Sequence, residues 1–281
     1  MTTTVFLAVI AAALLHAVWN ALVKGGVDKH LGMAAVVLGH TPIALVLLPF
    51  IPLPAAESWP YMVASIALHF GYQVFLLQSY RLGDLTQVYP IARGSAPLMV
   101  AAISTLFLGV TLQSLELLAI CIIGTGIMSL SLARRSDGLR NVNAAFLALM
   151  TGCFICGYSL VDGYGARLAG TSLGYYAWHT LGNTIAFTLY IRLSRPGLLR
   201  DLPKKGKRVF IIGGSASFVA YAMVMWAFTQ APIPLVTALR ETSIVFALLI
   251  GVFFLREKLN LVKVFSAMVT LFGAALLRFV R

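Results

Sequence analysis

The run at 234–260, PLVTALRETSIVFALLIGVFFLREKLN, constrains the chain more than any other. It is apolar and long enough to cross a bilayer, yet it holds Arg240 and Glu241 and ends in Arg256-Glu257-Lys258. A charge at membrane depth is costly, so it faces protein or water rather than lipid and marks a functional position. A second version stands at 88–113, VYPIARGSAPLMVAAISTLFLGVTLQ. There Arg93 aligns with Arg240, Phe107 with Phe254, Leu108 with Leu255 and Leu112 with Leu259; farther on, Gly126 aligns with Gly273. One intramembrane arginine recurs in two copies.

The rest of the chain shares this character. Of its 281 residues, 60% are hydrophobic and 11% charged, against roughly a quarter charged in a soluble domain. That composition cannot cover a water-facing surface, so the chain reads as an integral membrane protein. The formal net charge is +12. The basic residues lie between apolar runs, so topology accounts for them and no nucleic-acid partner is expected. Cys153 and Cys156 have the spacing of a redox or metal pair. With no second pair and no neighbouring histidine, they read as packing residues, like Cys121, and no metal or cofactor is expected. The N-terminal MTTTVFLAVIAAALLHAVWN lacks a basic leader and reads as the first helix rather than a cleaved signal.

A spanning helix takes about 20 residues. Ten apolar runs of that size fit, at about 4–23, 31–51, 59–80, 86–108, 114–133, 142–161, 172–193, 208–229, 233–255 and 261–279. Gly25-Gly26, Pro52 and Pro54, Gly83-Asp84, Gly138, Gly170, Pro196-Gly197, Pro232 and Pro234, and Asn260 separate them. The connections after spans 1, 3, 5, 7 and 9 hold 16 Lys and Arg; the opposite side, with both termini, holds 3. This bias predicts that the basic loops are cytoplasmic, with both termini outside, in the cytoplasmic membrane.

Spans 3–5 align with 8–10 at an offset of 147, and span 1 with span 6 near 138, where ALVKG at 21–25 meets SLVDG at 159–163. Five helices per copy is an odd number, so the second copy enters the membrane from the opposite face. The expected fold is an all-α integral membrane protein: ten transmembrane helices in two inverted five-helix repeats, 1–136 and 137–281. Ten helices suit either a monomer or a homodimer.

Residues 221–277 carry an aromatic helix, a proline-rich turn, a helix with a polar centre, then Leu255-Arg256-Glu257-Lys258-Leu259 and a glycine-bearing last helix. They resemble the second EamA domain of the drug/metabolite transporter superfamily. Trp19-Asn20 followed by Lys24 in the first helix is similar to the family as well. The first copy departs from the family pattern: Leu108-Gly109-Val110 stands where a glutamate is common. The resemblance implies a transporter rather than an enzyme.

Several polar residues are candidates for a substrate site. Arg93 and Arg240 each sit about seven residues into a span, roughly 10 Å deep at 1.5 Å per residue. Entering from opposite faces, both reach toward a central cavity, where forked donors suit a carboxylate, phosphonate or phosphate. The alternative is pairing with an internal carboxylate, Glu241 or Asp162, or snorkelling to an interface. Tyr89, Pro90, Gly94 and Pro97 surround Arg93 and predict a broken helix there. His16, Asn20 and Lys24 form one stripe, with Trp19 beside it; His179 and Asn183 repeat the spacing next to Trp178. These stripes either line a cavity and handle protons or bond helices together. His69, Tyr72 and Gln73 share a face, while Tyr221 and Trp226 either flank a ligand or pack. Glu241 is a candidate for a substrate ammonium or a coupling proton. His40 and Glu116 have no assignment.

The leading expectation is a secondary transporter. It would move a small anionic or zwitterionic metabolite (carboxylate, amino acid or phosphonate class) by alternating access, with proton or counter-substrate coupling. Flippase-like movement of a lipid-linked phosphate is the alternative. An intramembrane enzyme needs a nucleophile–base set or paired carboxylates, and no such spacing is present.

Overall fold

A computed structural model of the chain describes residues 1–26, 28–82, 85–132, 142–253 and 261–279. The chain is all-α: 89% is helical, with no strand among the described residues. The charged cluster at 256–258, Phe254, Leu255 and Leu259 of the repeat alignment, and the breakers Gly83-Asp84, Gly138 and Asn260 lie outside the described residues.

Helix α1 (Thr3–Lys24) begins where the Thr2 hydroxyl accepts from the Val5 amide, at 3.4 Å. Asp28 opens α2 (Lys29–Gly39) by accepting from the amides of His30 and Leu31. His40 joins α2 to α3 (Thr41–Leu47), so the run expected as one helix is two. Then come α4 (Trp59–Leu82), α5 (Leu85–Leu106) and α6 (Ser114–Met128). Glu116, which carried no assignment, closes a capping box at the start of α6: its carboxylate accepts from the Gln113 amide at 2.9 Å.

The second half holds α7 (Val142–Leu168), α8 (Ser172–Ser194), the short α9 (Leu198–Asp201), α10 (Gly214–Gln230), α11 (Ile233–Arg240), α12 (Ser243–Phe253) and α13 (Leu261–Phe279). Gly170, at φ +68°, ends the α7 turn in a conformation that suits glycine.

Seven stretches among the described residues are long and apolar enough to cross a bilayer: 3–24, 29–50, 56–82, 142–168, 209–230, 233–253 and 261–279. Helix α6 is apolar but shorter. Helices α5 and α8, which carry Arg93 and the His179/Asn183 pair, are not among the seven.

The expected break in α5 is not where the backbone yields. Helix α5 continues through Pro90 and Pro97. It is wedged between neighbours at glycine: a Cβ on Gly94 would meet Met128 and the Gly124 carbonyl of α6, and one on Gly152 of α7 would meet Ser95 and Ala92. Protein on those sides of α5 lets a membrane helix tolerate proline. The discontinuity falls instead between α11 and α12, at Glu241-Thr242. There the bonding tightens by one residue, with Glu241 N–H donating to Ala238 O at 3.0 Å and Ile244 N–H to Glu241 O at 3.0 Å.

Helix α7 packs on α4 and α5, α1 on α10 and α12, α6 on α5 and α13, and α8 on α4 and α2. Where α2 meets α10 the backbones touch: a Cβ on Gly214 would lie 2.7 Å from Gly39 Cα, with no side chain to yield. Forcing volume into such a contact costs about 1–3 kcal/mol or more. Gly214→Leu is therefore expected to lower the melting temperature of the purified protein by several degrees, whereas Gly109→Ala, in open space, costs only its positive-φ strain. A thermal melt in detergent compares the two.

Candidate functional site

Arg93 from the middle of α5, Arg240 from the last turn of α11 and Glu241 from the turn after it meet in the interior. They are 4%, 3% and 0% exposed. Arg93 Nε lies 2.8 Å from Glu241 Oε2, close but without the alignment of a hydrogen bond. Arg93 also donates to the Ser243 hydroxyl, at 3.2 Å. Arg240 Nε stands 4.0 Å from the other oxygen of Glu241, too far for a hydrogen bond. One carboxylate thus serves two guanidiniums and favours Arg93. Among the described residues, Arg240 Nε and Nη2 find no hydrogen-bond partner. The Arg240 guanidinium rests instead over the rings of Tyr158 and Tyr221, at 5.9 and 6.0 Å. Arg93 lies 5.9 Å from the Tyr89 ring.

Arg240 borders a cavity of about 80 Å³, room for several waters. Helix α1 contributes His16 and Trp19; α4 contributes His69, Tyr72 and Gln73; α8 contributes Tyr176, His179, Thr180 and Asn183; and α10 contributes Ser217 and Tyr221. His40, at the α2–α3 junction, and Tyr158 of α7 complete the polar lining. Unsatisfied polar atoms collect here. Gln73 Oε1, Asn183 Oδ1, His40 Nε2 and both ring nitrogens of His179 have no partner among the described residues. Buried polar atoms rarely stay unpaired, so this is a wall that water or a ligand completes.

A second carboxylate stands behind the cavity. Asp162 of α7 is 0% exposed. One of its oxygens accepts from the Ser65 hydroxyl; the other accepts from the Tyr221 hydroxyl and pairs with His69 Nε2 at 2.9 Å. His69 stacks on Tyr158 at 4.0 Å and meets the His179 ring edge-on at 4.6 Å.

The model of the EamA-like transporter family matches residues 143–279. The second half of the chain is thus an EamA-like domain, which supports an EamA-type transporter of the drug/metabolite transporter superfamily. The chain is a multi-pass membrane transporter. A solved structure, described simply as a crystal structure of protein, superposes with a TM-score of 0.81 at 18% identity, covering 99% of this chain and 99% of its own. Likeness at that identity establishes the shared fold. No curated protein matches.

In this EamA-type chain the matched region holds Asp162, His179, Asn183, Tyr221, Trp226, Arg240 and Glu241. Arg93 and His69 come from the other half. Of the residues singled out from sequence, His16, Trp19, Tyr72, Gln73, His179, Asn183, Tyr221 and Arg240 surround one cavity. Arg93, Tyr89 and Glu241 form the charged cluster beside it. Asn20 donates to the His16 carbonyl of its own helix at 2.8 Å, and Trp226 packs against the apolar core; neither lines the cavity. Asp162 and His69 were legible only as separate residues, because Asp162 takes its partners from α4 and α10.

Removing one member of a buried ion pair costs about 3–5 kcal/mol, while replacing both with apolar groups is often near neutral. Glu241→Met is therefore expected to destabilise strongly by stranding Arg93, which keeps only the Ser243 hydroxyl. The Arg93→Met/Glu241→Met double variant should regain part of that loss. Chemical unfolding of the two single variants and the double measures the coupling; additive losses would show that the pair is not energetically joined.

Proposed function

We propose that this EamA-type protein is a secondary transporter for a small anionic or zwitterionic metabolite, of the carboxylate, amino acid or phosphonate class, and not an enzyme. One observation carries the substrate class: the Arg240 guanidinium borders a buried cavity with two nitrogens unpartnered, while the nearby carboxylate is drawn to Arg93. A planar or tetrahedral oxyanion supplies the missing acceptors for a forked donor. The aromatic rings of Tyr158, Tyr221 and Trp19 give the apolar walls, and Gln73, His179 and Asn183 offer further polar contacts.

Ten transmembrane helices in two inverted five-helix repeats, 1–136 and 137–281, give the mechanism its frame. The packing supports the repeat. Exchanging α1 with α7, α2 with α8, α4 with α10, α5 with α11–α12 and α6 with α13 turns one set of helix contacts into another. The pair α4–α7 becomes α10–α1, α5–α7 becomes α12–α1, α5–α6 becomes α12–α13 and α4–α8 becomes α10–α2. Each half thereby contributes one arginine, Arg93 or Arg240, to one site. Rocking of the halves about that site exposes it to each face in turn. The basic loops face the cytoplasm and both termini face outward in the cytoplasmic membrane.

A thermal-shift screen of the purified protein with acetate, glycine, methylphosphonate, methanesulfonate and glucose tests the substrate class. The anions or the zwitterion are expected to stabilise the wild type, glucose is not, and Arg240→Gln should lose at least tenfold in affinity. Stabilisation by glucose alone, or anion affinity unchanged in Arg240→Gln, contradicts the reading. Displacement of the anion by phospholipid would move the assignment to a lipid-linked phosphate.

A further inference from the structure

The charges around the cavity balance in a way that the anion site leaves unfinished. Arg93 and Arg240 contribute two positive charges, Glu241 and Asp162 two negative ones, and with neutral histidines the sum is zero. A bound anion takes the buried site to minus one. An uncompensated charge in a buried site is disfavoured, so the binding of an anion calls for a positive partner from within the protein.

We propose that the His69–Asp162 pair is that partner: it takes up one proton when the anion binds at Arg240, so that anion and proton bind and move together. This rests on the anion-binding reading of the same cavity. The geometry singles out the pair. Of the four histidines on the cavity, His16, His40, His69 and His179, only His69 touches a carboxylate among the described residues. With His69 Nε2–H donating to Asp162 at 2.9 Å, Nδ1 is the basic atom, and the added proton makes an imidazolium–carboxylate pair. Asp162 is held for this by the Ser65 and Tyr221 hydroxyls, which donate to it and remain in place. Tyr221 also connects the two sites physically, since its hydroxyl bonds Asp162 while its ring lies under the Arg240 guanidinium.

The other titratable groups facing the pair do not substitute for it. Tyr175 and Tyr176 of α8 lie near Asp162, and Tyr158 of α7 stacks on His69; phenols do not take up a proton near neutrality. His179 of α8 and His40 face His69; Asp162 lies near His179 as well, but among the described residues neither ring is in contact with a carboxylate, whereas His69 is at 2.9 Å. His16 of α1 lies near Arg93 and Arg240 and accepts from the Trp19 indole through Nδ1 at 3.2 Å, with no carboxylate in contact among the described residues.

Binding linkage makes the effect reciprocal: a proton bound with the anion raises anion affinity as pH falls. The sign is fixed by substitution. Asp162→Asn removes the negative charge permanently, as the proton does electrostatically, whereas His69→Gln prevents uptake and leaves Asp162 charged. The test uses methanesulfonate, which stays fully ionised and carries no proton of its own. Calorimetric titration of the purified protein between pH 5.5 and 8.5 (values on the order of the histidine range), in buffers of different ionisation enthalpy, counts the protons taken up.

In the wild type the dissociation constant is expected to rise toward tenfold per pH unit on the alkaline side, with uptake approaching one proton per anion. Asp162→Asn should bind tightly and His69→Gln weakly, both independent of pH. A purely structural role would weaken both variants alike. A pH-independent wild-type affinity without proton uptake overturns the proposal and leaves the anion site standing, even if a variant fails to fold. No binding of methanesulfonate, acetate or methylphosphonate by wild type at any pH would remove the anion site itself, and this proposal with it.

Discussion

The interior is arranged around a shortage: two buried guanidiniums and one carboxylate between them. Glu241 stands at the turn where α11 gives way to α12, and it lies closer to Arg93 than to Arg240, 2.8 against 4.0 Å. In water such a difference would matter little. In a low-dielectric interior it decides which cation is neutralised and which keeps its donors unused. The aromatic faces of Tyr158 and Tyr221 stabilise the second arginine in part, but a ring supplies no hydrogen-bond acceptor in the guanidinium plane. The cavity that Arg240 borders also collects the unsatisfied polar atoms of Gln73, His179 and Asn183.

The backbone serves the same arrangement. Close glycine contacts at Gly94, Gly152 and Gly124 let α5 run between α6 and α7, so that Arg93 is delivered from an unbroken helix. Tightened bonding at Glu241-Thr242 places Glu241 and Ser243 together against Arg93. Asp162, on the long α7, is reached by α4 and α10 at once, because α7 packs on both.

Much of this was legible in the sequence. Composition and the ten apolar runs led to a helical membrane protein, and the recurrence of Arg93 as Arg240 drew attention to the residues that now share a site. The stripes holding His16, Tyr72–Gln73 and His179–Asn183 were readable because helical spacing fixes which residues share a face. Their convergence on one cavity was not, since periodicity says nothing about how faces from four helices meet. The break in α11–α12 has no proline or glycine to announce it, whereas Pro90 and Pro97 pointed to α5, where surrounding protein holds the helix together. From sequence, Asp162 reads as a possible partner for the arginines; it bonds Ser65, His69 and Tyr221 instead, which are far from it in the chain. Trp226 was chosen on residue type and Asn20 on its stripe spacing; one packs in the core and the other bonds its own helix.

The proposed anion site depends on the Arg240 guanidinium being left for the substrate. A structure of the purified protein with methylphosphonate bound tests this most directly. The expected result is an oxyanion within hydrogen-bond distance of Arg240 in the cavity, with Arg93 still on Glu241. An Arg240 that closes onto Glu241 or turns outward to the lipid headgroups, with the cavity unchanged by ligand, would contradict it.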